Sequence, residues 1–250
     1  MSTTVLITGA NRGVGKSLTS IYLQRPSHIV VAAVRDVKSQ SSLELSNLPK
    51  AVDSKLVLVK IDATSDTDAE DAASTLKQEI DHLDILIANA GLCIYNEPTH
   101  KGELKTFRDQ LEINFLGPVK LFKAFYDLLQ AAKEPKFIGI TSMIGSTSMI
   151  QYNGPLNLAG YGTSKSALTH FVRRTHYENE WLVATSIHPG IVSDTDMGST
   201  AVEVYGPAAK GDLTSETSAQ RIVLLTDEVT RKSVEETDGF LGPDGAKIPF

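Results

Sequence analysis

"ITGANRGVGKSL", residues 7–18, decides how this chain folds, and it admits two readings. Its end, Gly15-Lys16-Ser17, matches the close of a P-loop, in which a glycine, four residues and Gly-Lys-Ser/Thr cradle a nucleoside triphosphate. That count puts the first glycine at residue 10, which is alanine. The glycine stands at 9, so the loop is one residue too long and Gly13 has no task. A dinucleotide turn uses all three glycines. Gly9 permits the tight turn after a strand, Gly13 lets backbone approach a pyrophosphate, and Gly15 lets the helix pack close to the sheet. The helix N-terminus then offers free N–H groups and a positive dipole end to the phosphates.

The sequence around this turn repeats its strand-then-helix rhythm. "TVLIT" (4–8), "HIVVAAV" (28–34), "KLVLVKI" (55–61), "LDILIANA" (83–90), "KFIGITS" (136–142) and "LVATSIHPG" (182–190) read as buried strands. Their near-continuous apolar runs suit strands covered on both faces. Helical patterns fill 13–24, 66–80, 103–130 and 161–178. The alternation predicts a single α/β domain over 1–250 with a doubly wound parallel sheet of about seven strands. Two stretches break the rhythm: 143–160, and 191–216 with a weak helical island at 201–205. Both follow carboxyl ends of strands, where open α/β sheets bind ligands, and are expected to frame a substrate pocket.

The bulk numbers exclude several classes. The chain has 250 residues, 41% hydrophobic and 22% charged, with a net charge of −6. An acidic protein does not attract nucleic acid or anionic lipid, so neither is an expected partner. Cys93 is the lone cysteine, which rules out an internal disulfide. The six histidines (28, 82, 100, 170, 176 and 188) show no metal spacing, and no metal is expected. No signal segment is visible, and "IVVAAV" is far too short to cross a bilayer, so the expected location is cytoplasmic.

Chemistry enters at the strand ends. The second strand closes "AAVRD", where an acidic side chain would bind the ribose 2′-hydroxyl of NAD and a cation the 2′-phosphate of NADP. Arg35 and Asp36 compete there, and Arg12 in the turn is a second cation aimed at the same region. Two guanidiniums suit a phosphate monoester. "YGTSK" places Tyr161 and Lys165 four apart on one helix face. An adjacent ammonium stabilises a phenolate, so Lys165 is expected to lower the Tyr161 pKa and let it exchange a proton with a carbinol. Ser142 ends the preceding strand in "TSMIG". Asn114 lies in "EINFLG", "NAG" (89–91) closes the fourth strand and "HPG" (188–190) the sixth.

TGxxxGxG, NAG, a helical Asn, a strand-end Ser, YxxxK and PG stand in the order found in the short-chain dehydrogenase/reductase family, and the chain resembles that family along its whole length. "TGANRG", "TDMG" (195–198) and "DGFLGPDGAKIPF" are similar to its sniffer and C-factor-like carbonyl reductases. Within that branch the chain looks most like fungal norsolorinic acid ketoreductases, which reduce an aryl ketone on a polyketide pathway. The resemblance implies a single Rossmann-type domain and an NADP(H)-dependent ketoreductase acting on a small-molecule ketone. It implies that Asn114 helps hold a relay water, Ser142 polarises the carbonyl, Tyr161 is the general acid, and Lys165 binds the nicotinamide ribose and supports Tyr161. The cofactor is expected against Gly9, Asn11, Arg12, Gly13, Val14, Gly15 and Arg35. It also meets Asp62, Ala63, Asn89, Ala90, Gly91, Pro189, Gly190, Val192 and Thr195, with Tyr161 and Lys165. The acidic NAD selector of the family sits near Val34, and none stands there, so Asp36 is read as lying just outside the site. Ser142, Tyr152 and Tyr161 are the expected substrate contacts. Pairing of the fourth and fifth helices into a homodimer or homotetramer is also implied.

The chain departs from the family pattern in three places. Tyr161 lies nineteen positions after Ser142, against about a dozen in relatives, and the insertion either roofs a pocket for a large flat substrate or bulges harmlessly. Ala88 stands where many relatives have Asn. "HPGIVSDTDMG" is longer by a residue or two, which leaves either Ser193 or Thr195 to meet the nicotinamide amide. A binding protein that kept the fold and lost turnover, a sensor or scaffold, is the alternative; the intact Asn-Ser-Tyr-Lys set argues against it. Cys93 lacks a base partner and reads as packing, as does Trp181 at the start of a strand. His188 reads as structural, and Phe107, Phe115, Phe122 and Phe125 as core or dimer face.

Overall fold

The computed structural model describes residues 2–95, 98–152 and 156–250. Seven strands form one sheet: β1 (Thr3–Thr8), β2 (His28–Val34), β3 (Lys55–Lys60), β4 (Ile85–Ala88), β5 (Lys136–Ile140), β6 (Val183–Ile187) and β7 (Phe240–Leu241). Their order is β3-β2-β1-β4-β5-β6-β7 and every pairing is parallel. The order reverses between β1 and β4, which opens a crevice at the carboxyl ends of those strands.

The apolar runs serve both faces, as their composition requires. Val5 and Ile7, with Val30, Ala32 and Val34, join one core with Leu18, Tyr22 and Leu23 of α1 (Gly13–Leu23) and Ile222 and Val223 of α8 (Ser215–Glu228). Leu6, Val31 and Ala33 join the other. That core packs on Leu76 of α3 (Asp68–Leu76), Leu121 and Phe125 of α5 (Gly117–Gln130), and Leu168 and Val172 of α6 (Ala159–Glu178). Each large apolar side chain so buried contributes about 1.5–3 kcal/mol, and two such layers hold the crevice rigid.

The remaining elements refine the expectation. α2 (Gln40–Leu43) is a single turn after β2, α9 (Arg231–Thr237) follows α8, and β7 adds the edge strand. β4 stops at Ala88 rather than running to residue 90, and β6 stops at Ile187, so "NAG" and "HPG" follow the strand ends, with the His188 N–H still bonded to the Leu241 carbonyl of β7. Trp181 precedes β6 and packs edge-on against Tyr126, 5.2 Å between ring centres. The long helix expected over 103–130 divides. α4 (Leu104–Leu111) passes through a wider π turn at Glu112–Leu116 before α5, and Asn114 sits inside that turn. The weak island at 201–205 is a ten-residue helix, α7 (Asp196–Tyr205), whose Thr195 hydroxyl caps the Gly198 N–H. A side-chain cap compensates for a glycine- and serine-rich start. The stretch 143–160 holds two short 3₁₀ turns, Met143–Gly145 and Ile150–Tyr152, and then the start of α6.

Candidate active site

The glycine turn is built as its spacing demands. Gly9 and Gly13 have φ of +64° and +49°, a conformation that favours glycine. Gly15 is helical, and a Cβ there would stand 2.1 Å from the Gly9 carbonyl oxygen and 2.6 Å from Asn89 Nδ2. The third glycine therefore seats α1 on the turn. No side chain caps α1 and no acidic residue lies in its first turn, so its leading N–H groups and positive dipole end face the crevice without a competing anion.

Thr8 locks this turn to its neighbour. Its hydroxyl accepts the Asn89 and Ala90 N–H groups, both at 3.0 Å, and its carbonyl accepts Asn89 Nδ2 at 2.8 Å. Asn89 thus acts as a strut across the β1–β4 crevice. Beyond it Ala63 and Gly117 touch, and with Ile61, Ala88, Ala90 and Leu121 they line a small apolar recess. Asp62 spends one carboxylate oxygen on the Thr64 N–H and hydroxyl.

At the end of β2, Arg35 is exposed, while the Asp36 carboxylate accepts the Lys38 N–H and so turns back on its own loop. Asn11 donates to Ser41 Oγ at 2.8 Å, a serine that no sequence motif announced. Arg12 pairs with Asp196, the first residue of α7, instead of reaching toward Arg35.

The reacting residues converge at the end of β5. Tyr161 and Lys165 are buried in the first and second turns of α6, with the ammonium 5.7 Å from the phenol ring centre. Lys165 Nζ donates to the Ile140 carbonyl at 2.7 Å and lies beside Gly91. Burial lowers its pKa from 10.5 to about 8. The expected lowering of the Tyr161 pKa does not occur. Burial raises it, the neighbouring Cys93 adds to the rise, and Ser142 acts the other way without prevailing. An ammonium that faces the ring and bonds to Ile140 does little for the phenol oxygen. Ser142 is buried and receives the Ile144 N–H at 3.2 Å.

Asn114 differs in detail from its expected task. Its Oδ1 accepts the Leu92 N–H at 2.7 Å, and its Nδ2 donates to the Leu92 carbonyl at 2.7 Å and to Ser164 Oγ at 2.9 Å. The side chain clamps the backbone after "NAG" to α6; both of its N–H groups are engaged, and Oδ1 keeps one lone pair.

The segment after β6 closes the site. Gly190 takes φ +84°, and the Pro189 carbonyl accepts the Ser218 hydroxyl. Val192 is buried. Ser193 turns its hydroxyl to Leu213, whereas Thr195 Cγ2 would lie 3.2 Å from a Cβ on Gly13, so Thr195 is the one at the crevice. Met197 Sδ stands 4.0 Å from Tyr161 Oη, and the Met197 carbonyl accepts the Tyr95 hydroxyl at 2.8 Å. Tyr95 meets Tyr205 edge-on at 5.6 Å. Sequence reasoning missed Met197, Tyr95, Tyr205 and Asp196. Tyr95 lies four residues past "NAG" and Met197 within "TDMG", but nothing in either spacing marks them. His188 is buried near Lys165, with its Nδ1 unpartnered among the described residues. The Tyr152 side chain, and residues 153–155 of the same insertion, lie outside the described residues.

A Tyr-Lys pair beside a strand-end serine, facing a dinucleotide turn across a parallel sheet, defines an oxidoreductase site. The family model described as short chain dehydrogenase matches residues 3–205, and the chain belongs to that family of oxidoreductases. Over 254 residues it is 36% identical to a norsolorinic acid ketoreductase of Dothistroma septosporum, covering 99% of this chain and 92% of that one. Its fold is similar to an NADPH-bound carbonyl reductase from chicken fatty liver, with a TM-score of 0.85, 26% identity and full coverage of both chains. The carbonyl reductase Sniffer of Drosophila melanogaster is similar in fold, with a TM-score of 0.83 and 24% identity over both whole chains. No described helix is long and apolar enough to cross a membrane.

Proposed function

We propose that the protein is an NADPH-dependent ketoreductase, acting on an aryl or polyketide-type ketone, with Tyr161 as the general acid. The observation that carries this reading is the meeting of Tyr161, Lys165 and Ser142 at the end of β5, beside the segment tied to the glycine turn. The crevice suits a dinucleotide: the uncapped start of α1, with no acidic residue in its first turn, offers its free N–H groups to the phosphates. Arg12, Arg35, Asn11 and Ser41 supply cation and hydroxyl chemistry suited to the 2′-phosphate. The names of the ketoreductase relative and the NADPH-bound structural neighbour point the same way.

NADPH, when bound, supplies the hydride that goes to the carbonyl carbon. Ser142 Oγ orients the carbonyl by donating to its oxygen. Tyr161 Oη gives that oxygen its proton; burial makes the phenol a weaker acid in the free protein, and the Ser142 contact acts the other way. Lys165, bonded to the Ile140 carbonyl and beside Gly91, would hold the nicotinamide ribose. Met197, beside Tyr161, with Tyr95 and Tyr205 behind it, forms an aromatic and thioether patch whose chemistry suits an aryl ketone. The loops 143–160 and 191–216 frame that pocket within one domain. α4 and the π turn before α5 present exposed Leu104 and Leu116 as the pairing face of a homodimer or homotetramer, and a cytoplasmic location accords with the single thiol.

The test is Tyr161→Phe against a panel of aryl ketones. NADPH oxidation should fall by about 10²–10⁴-fold while NADPH affinity, read by fluorescence titration, stays within twofold. Retained turnover would remove Tyr161 as the acid. Wild-type protein that binds NADPH but reduces no ketone would favour a retired sensor or scaffold.

A further inference from the structure

One ion pair joins the cofactor turn to the patch beside Tyr161. Arg12 ends the glycine turn's approach to α1, and its guanidinium bonds to the carboxylate of Asp196. Asp196 opens α7. One residue on, Met197 lies against Tyr161 Oη, where a ketone oxygen must come to receive a proton. Thr195, one residue before, rests against Gly13. Three consecutive residues thus span from the phosphate turn to the proton donor. Among the described residues, α7 is also tied to the site by the Tyr95–Met197 hydrogen bond, the Tyr95–Tyr205 contact and the close approach of Gly198 to Val192, none of them ionic.

A phosphate monoester is the stronger claimant for Arg12. It carries close to two charges and takes a guanidinium with two parallel bonds, whereas Asp196 is four-fifths exposed and holds Arg12 in high dielectric. Asp196 is not stranded when Arg12 leaves, because it stands at the positive end of α7. We propose that Asp196 is a discriminating residue for the phosphorylated cofactor. In the free molecule it latches α7 over Tyr161 through Arg12, and a 2′-phosphate that takes Arg12 releases α7 and lifts Met197 from the phenol. A dinucleotide without that phosphate leaves the latch closed. The inference rests on the NADPH reading above and adds what the phosphate does once bound.

The test uses 2′,5′-ADP, which carries the 2′-phosphate but has no nicotinamide end to touch α7, with 5′-ADP as the control. Hydrogen exchange of the 197–205 amides is followed in the whole protein. In the wild type, 2′,5′-ADP should speed that exchange about two- to fivefold, the range an exposed ion pair supports, and 5′-ADP should not. Asp196→Asn should exchange fast without ligand, show no further response, and bind 2′,5′-ADP about two- to fivefold more tightly. Arg12→Gln should also exchange fast yet bind 2′,5′-ADP more weakly, which separates the latch from a simple loss of helix-end charge. If 2′,5′-ADP binds the wild type and α7 exchange stays the same or slows, the latch is wrong and the cofactor reading survives. Unchanged affinity in Asp196→Asn has the same meaning. If 2′,5′-ADP does not bind the wild type at all, both readings fall.

Discussion

Replacing Lys165 with methionine should make the protein more stable while it destroys turnover, and pH should reveal why. Lys165 is buried, and its pKa drops from 10.5 to about 8 because desolvation penalises the ammonium. A folded-state pKa below the unfolded one means that the unfolded chain binds the proton more tightly between those values. Stability from this group therefore rises as pH climbs from about 8 to 10.5, and below 8 the folded state carries the full penalty. That penalty is about 3 kcal/mol. Methionine has a similar unbranched stem and no charge to desolvate. Against the gain stands the lost bond to the Ile140 carbonyl, about 1–2 kcal/mol. The expected net effect near pH 7 is about 1–2 kcal/mol of stabilisation. The sharper quantity is the difference between variant and wild type, since other titrating groups cancel in it. Urea melts of both proteins from pH 7 to 10.5 should show that difference move by about 3 kcal/mol against the variant. A difference that stays flat with pH would show that Lys165 does not carry a buried charge, and would refute the argument.

Gly15→Ala should cost about 3 kcal/mol in denaturant melts, because its Cβ would meet the Gly9 carbonyl at 2.1 Å and backbone cannot rotate away; a loss below 1 kcal/mol would show that α1 shifts freely. Asn114→Ala removes bonds to both Leu92 backbone groups and to Ser164, so stability should fall by about 2–4 kcal/mol with a matching drop in Tm, and an unchanged melt would count against the clamp. Arg35→Ala should weaken NADPH binding by roughly tenfold or more and NADH binding by less than twofold in parallel titrations. An equal loss for both would show that Arg35 does not read the 2′-phosphate.

The layered sheet was legible because periodicity is a local property. Strand runs such as "HIVVAAV" match their observed span, and the glycine spacing anticipates the positive φ at Gly9 and Gly13. The family motifs likewise point to residues that do meet at one place, Ser142, Tyr161 and Lys165. What failed depends on contacts between distant segments. The π turn at Glu112–Leu116 follows from Asn114 reaching Leu92, a pairing that no helical periodicity encodes. Only 201–205 of the ten residues of α7 read as helical, because glycine, serine and threonine weaken the pattern before them, while Thr195 capping and the Tyr95 bond supply what propensity lacks. The Tyr161 pKa went the other way from expectation because helix spacing brings Lys165 near the ring but says nothing of burial or of Ile140. β7 and α9, at two and seven residues, are too short to announce themselves.

The parallel arrangement also sets when the protein can first work. The glycine turn is fastened through Thr8 to Asn89, 81 positions along the chain, and the proton donor comes from a helix some seventy residues later still. A growing chain that has made its first strand, turn and helix holds every glycine of the phosphate site and still lacks its fastening. Loops of that length close slowly, so parallel sheets mature late and expose apolar edges on the way. Under the cofactor reading, dinucleotide binding would wait for the segments that carry Asn89 and Lys165. Under the cofactor reading, NADPH at a hundred times its Kd would add about 2.7 kcal/mol to the completed molecule and nothing to its precursors. The supply of reducing cofactor would then govern how much enzyme survives as well as how fast it turns over.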